Sequence, residues 1–140
     1  MRSRSWEHFE HDADIGLRAS ASSREGLFEA MAEALTALIT DPGKVRAEES
    51  VSIRWEAPDD ALLLTDWLNA LIYEMATRGM LFGDWRVTLH DRVLEAVVRG
   101  ERVDRARHEP VVEVKGATYT ALSVSRDSTG TWHGQCIVDV

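Results

Sequence analysis

The sequence predicts an α+β fold: a two-layer sandwich in which two main helices pack on a largely antiparallel or mixed β-sheet. Three observations carry this. Two stretches have apolar residues at intervals of three and four, the helical repeat. The remaining patterned stretches alternate apolar and polar residues with period two. Most of those alternating runs are separated by short turn-forming segments, which favour hairpins over parallel crossovers.

Taken in order, short strands are expected around residues 6–10 and 15–20. The first helix is signalled by Ser22 and Glu25 at capping-box spacing, then by Leu27, Met31, Leu35 and Leu38. Pro42, after Asp41, stops it. "VSIRWE" puts Val51, Ile53 and Trp55 on one face of a strand. The second helix opens at Asp59 and Asp60, whose carboxylates suit free amides and the positive end of the dipole. Its core stripe is Leu64, Trp67, Leu68, Leu71, Ile72 and Met75, closed by Arg78 and a left-handed Gly79. Asp66, Asn69 and Tyr73 form a polar flank beside that stripe. "WRVTLH" turns through "HDR" into "VLEAVVR" as a hairpin, and "ATYTALSVSR" and "TWHGQCIVDV" form a second around "DSTG". Residues 99–110, "RGERVDRARHEP", mix arginines with acids and read as a solvated loop, with a polar docking surface as the functional alternative.

At 140 residues the chain, 1–140, is one domain with enough surface to bury its own core. A single cysteine, Cys136, rules out an intrachain disulfide and suits a reducing compartment. No apolar run resembles a signal peptide or is long enough to span a bilayer, so a cytoplasmic protein without membrane partners is expected. A net charge of −8 disfavours direct binding to nucleic acid, so RNA is reached only indirectly, through another protein. No phosphate-cradling glycine loop is present. Cys136, on the inward face of a strand, reads as a small core hydrophobe.

The stretch "HDADIG" at residues 11–16 packs His11, Asp12 and Asp14 into four residues. The β-pattern at the other extremity runs to the last residue, setting Asp139 beside the carboxyl group of Val140. If the two extremities meet, Asp14, Asp139 and Val140 make an all-oxygen anionic cluster suited to a hard divalent cation, calcium, magnesium or manganese. An Asx turn at Asp14 and an exposed Asp139 that blunts a sheet edge are the structural alternatives. A small metal-dependent hydrolase with His11 as base is a further chemical one.

"HDADIG", "LITDP" after the first helix, "WLNALIYEM" on the second, "RHEPVVEVKGATYTAL" and a chain ending in "IVDV" occur together and in order. Across essentially the full length they resemble the archease family. That resemblance implies an α+β sandwich and a non-catalytic role as accessory protein to the RtcB-type RNA ligase. This ligase seals RNA ends in tRNA splicing and RNA repair and must first be guanylylated on a histidine. It also implies a divalent cation on Asp14, Asp139 and Val140. His108, Lys115, Thr118 and Tyr119 match motif positions and, with His11 and Asp12, are candidates for contact with the partner. A chaperone-like role toward a tRNA methyltransferase or another RNA-modifying enzyme is the rival implication. Asp12 stands where the family usually has a small hydroxyl residue, Thr120 where it often has histidine, and Gly116 where alanine is common.

Overall fold

The structure is a computed structural model and describes residues 4–140. The strands are β1 (Arg4–His11), β2 (Asp14–Ala21), β3 (Glu49–Glu56), β4 (Met80–His90), β5 (Val93–Arg102), β6 (Gly116–Ala117), β7 (Ser123–Arg126) and β8 (Trp132–Asp139). The helices are α1 (Arg24–Ile39), α2 (Asp60–Arg78) and the single turn α3 (Arg105–His108), with a 3₁₀ turn at Pro42–Lys44. The class is α+β with two main helices, as expected. The strands divide into two sheets. One runs β1-β2-β8-β6, with β7 also paired to β8; the other runs β3-β5-β4, and every pairing is antiparallel.

The reason for two sheets lies in α1. It is buried on nearly every side and packs on β1 and β2 of one sheet and on β4 of the other. A helix with apolar residues all round needs cover on more than one face, and Leu27, Phe28, Ala30, Met31, Ala34 and Leu35 are all fully buried. Its N-cap is Ser23, whose hydroxyl accepts from Gly26 N at 3.0 Å, one residue beyond the Ser22 expected from the sequence. α2 begins as predicted, with the Asp59 carboxylate accepting from Leu62 N and Gly79 closing it at φ 63°. Trp67 Nε1 donates to Phe28 O at 2.9 Å and ties the two helices together.

Hairpins β1–β2 and β4–β5 turn on two residues each, with Asp12 (φ 52°) and Asp91 (φ 54°) in the left-handed conformation that aspartate tolerates. The expected continuous strand across "ATYTALSVSR" is broken. β6 and β7 pair with the same edge of β8, and residues 118–122 loop out opposite Cys136 and Ile137. Thr118 builds that loop: its hydroxyl donates to Ile137 O and accepts from Thr120 N.

Residues 99–110 depart further from expectation. β5 continues to Arg102, α3 follows, and the segment is not a solvated loop. Glu101 and His108 are 4% and 1% exposed. Glu101 accepts from Arg107 through both carboxylate oxygens, from Arg46 N, and from His108 Nε2 at 3.0 Å. The Arg107 guanidinium is the main cause holding the Glu101 carboxyl well below the usual carboxylate range. Asp104 N donates to His108 Nδ1, which leaves Nε2 as the ring nitrogen that donates to Glu101.

Candidate functional site

The antiparallel register decides where the two extremities lie. β2 and β8 pair from Ala21↔Trp132 to Ile15↔Val138, so the next step sets Asp14 opposite Asp139. On the far side of β2, Asp14 pairs with His11; on the far side of β8, Asp139 pairs with Gly116. His11, Asp14, Asp139 and Gly116 therefore form one row across four strands. Residues in such a row share a face, and alternation sets this face opposite to buried Leu17, Cys136 and Val138. Val140 follows on the inward face and packs partly against the core.

The next row inward supplies an apolar floor. The Phe9 ring lies directly over Gly16, 2.1 Å from where a Cβ would stand, which is why glycine follows Ile15. Ile137, paired with Gly16, is 1% exposed although it is on the outward face. The Arg18 guanidinium lies over the Phe9 ring, 4.2 Å from its centroid, and is engaged by Glu7 and Gln135. The nearest arginine on this face is thus committed elsewhere. Among the described residues, no ion pair or side-chain hydrogen bond engages the carboxylates of Asp14 or Asp139. The Asx-turn bond considered for Asp14 is accordingly absent.

The donor set fits a hard cation. Two aspartate side chains and the carboxyl group of Val140 offer oxygen only, at a solvent-accessible sheet end. Among the described residues, no three His, Cys, Asp or Glu side chains gather as metal ligands. Cys136 is unsuited to ligation: burial pushes its thiol up to about 11, and Sγ donates to Thr118 O.

The motif residues scatter around this end. Lys115 N donates to Asp139 O at 2.7 Å while its side chain is exposed. Tyr119 is 68% exposed, and Thr118 and Thr120 belong to the loop opposite Cys136 and Ile137. His11 is half-buried, with Nδ1 4.0 Å from the exposed carboxylate of Asp12. His108 is corrected: it is locked onto Glu101 in the interior and presents nothing to a partner. Sequence reasoning missed Glu101 and Asn69 as organising residues. The amide of Asn69 brackets Ala117, donating to its carbonyl and accepting from its N–H, and so anchors β6 beside Asp139.

Residues 6–140 match the model of the Archease protein family (MTH1598/TM1083). The chain belongs to the archease family. It is 36% identical over 141 residues to Protein archease of Pyrococcus furiosus, covering 98% of this chain and 99% of the relative. With Protein archease of Methanopyrus kandleri the identity is 38% over 139 residues, covering 96% and 99%. The solution structure of Methanobacterium thermoautotrophicum protein 1598 superposes with a TM-score of 0.79 at 25% identity, covering 96% of this archease and 98% of that chain. A crystal structure from Thermotoga maritima, described as an archease, possible chaperone, gives a TM-score of 0.61 at 20% identity, covering 96% of each. Among the described residues, no helix is long and apolar enough to cross a membrane.

Proposed function

We propose that this archease is a non-catalytic accessory protein of an RtcB-type RNA ligase, promoting the ligase's guanylylation and turnover in tRNA splicing and RNA repair. The observation that carries the reading is the β2–β8 register, which faces Asp14 with Asp139 beside Val140, both side chains being without a cationic partner among the described residues. Asp14, Asp139 and the Val140 carboxyl group hold a calcium, magnesium or manganese ion and orient it outward. A cation held there supplies positive charge to the triphosphate of the incoming nucleotide and to the departing pyrophosphate. The chain's own net charge of −8 suits a partner whose RNA-binding cleft is basic, and RNA is met only through that partner.

A second reading, chaperone-like modulation of a tRNA methyltransferase or other RNA-modifying enzyme, draws on the description possible chaperone carried by the Thermotoga maritima structure. The two differ in what they ask of the carboxylates. Ligase guanylylation is measured with wild-type chain and with Asp14→Ala or Asp139→Ala. The ligase reading expects stimulation to fall by about tenfold or more, the scale of one strong charge contact, with the thermal midpoint preserved. Full stimulation by a folded variant defeats it and favours the second reading.

A further inference from the structure

The free edge of the three-stranded sheet and one flank of α2 enclose a groove that the proposed function leaves unused. β3 is the outermost strand of its sheet and, among the described residues, pairs only with β5. Alternate backbone N–H and C=O groups along residues 52–55 therefore point away from the sheet. Across the groove stand Asp66, Ala70, Tyr73 and Glu74 of α2. Trp55 and Tyr73, 44% and 64% exposed, give it two aromatic surfaces.

The charges in the groove are unequally satisfied. Arg54 is paired with Glu56, and Glu74 with Arg78. Asp66 has neither a hydrogen bond nor an ion pair among the described residues. Its carboxyl is raised above the ordinary value by burial, the signature of a carboxylate that has lost water without gaining a counter-ion. A guanidinium or ammonium group supplies what is missing, and aromatic faces add cation–π attraction to the same group. An extended backbone in the groove also continues the antiparallel ladder from β3, the arrangement of β-augmentation. The net charge of −8 opposes a second copy of the chain and favours a basic partner.

We propose that the groove between β3 and α2 seats an extended basic segment of a partner protein, which adds a strand to β3 and sets an arginine or lysine side chain on Asp66, Trp55 and Tyr73. The test is an NMR titration of the isotope-labelled protein with the capped peptide Thr-Val-Arg-Val-Thr and with its glutamine analogue. Saturable shifts confined to residues 52–55 and 66–74 are expected, with the glutamine peptide about tenfold weaker or more. Asp66→Asn is expected to abolish that difference; if the variant loses its folded spectrum, Trp55→Ala replaces it and is expected to weaken the arginine peptide. Four results overturn the proposal: equal affinity for the two peptides, shifts outside the groove, no saturable response at millimolar peptide, or retention of full arginine preference in the folded variant. Groove shifts that follow protein concentration instead of peptide identify a second copy as occupant and overturn it as well. The titration uses neither ligase nor divalent cation, so its failure and failure of the function proposed above are separate outcomes.

Discussion

At the end of the five-stranded sheet, Asp14 and Asp139 face each other with no cationic side chain on either among the described residues. On the three-stranded sheet, Glu101 is surrounded by donors: the two terminal guanidinium nitrogens of Arg107, the His108 ring and the backbone of Arg46. The same carboxylate chemistry thus serves two ends. With both carboxylate oxygens engaged, Glu101 is a tie between β5, α3 and the loop after α1, because Arg107 also donates to Lys44 O and Thr40 donates to His108 O. At Asp14 and Asp139 no such donor stands among the described residues, and it is there that the proposed function sets a cation. The contrast separates a carboxylate bonded into the fold from a pair that the fold leaves without donors among the described residues.

The largest effects are expected where the carboxylate is saturated. Glu101→Ala strands Arg107, the His108 ring and Arg46 N at once and is predicted to be the most destabilising of the substitutions considered in this comparison, read as a fall in the denaturant midpoint. His108→Ala removes one of those bonds, together with the one from Asp104 N to the ring, and is expected to cost about 1–3 kcal/mol, the range for stranding buried polar groups. Denaturation of Asp14→Asn supplies the contrast: without divalent cation it should stay within about 0.5 kcal/mol of wild type, or gain slightly from lost repulsion.

A pH series sharpens the same comparison. Glu101 has an ordinary value of 4.5 and a strongly lowered one in the folded protein. Its contribution is therefore fully present above the unfolded value and is lost as pH falls from there toward the lower folded value. Wild type should lose stability on acidification more steeply than Glu101→Gln in that window. Parallel curves would remove Glu101 from the account.

Much of this was legible along the chain. The spacing of Leu64, Trp67, Leu68 and Leu71 gives α2, and "HDR" gives the β4–β5 turn, because both signals are local. The inward position of Cys136 and the outward one of Asp139 follow from alternation alone. Residues 99–110 were misleading for a physical reason. Their charges alternate as a solvated loop's do, and only the turn at Asp104 to His108, folding Arg107 back onto a residue six positions earlier, buries them. The division into two sheets was hidden likewise, since nothing local states that α1 is covered on both sides. Asp14 opposite Asp139 needed the β2–β8 pairing, a contact between the chain's extremities that only the three-dimensional register displays.

The expected shift on adding cation is of the same order as that of His108→Ala. Saturation at a hundred times the dissociation constant should stabilise wild type by about 2.7 kcal/mol, and Asp139→Asn by much less. Smallest is Lys115→Ala, whose exposed side chain makes no ion pair among the described residues; a change within about 0.5 kcal/mol is predicted.

Calorimetric titration of calcium into the metal-free protein, wild type beside Asp14→Asn, tests the convergence of the extremities most directly. One saturable site per chain, lost in the variant, is the predicted result. Identical isotherms for the two proteins, or no heat of binding in wild type with magnesium and manganese equally silent, would contradict it.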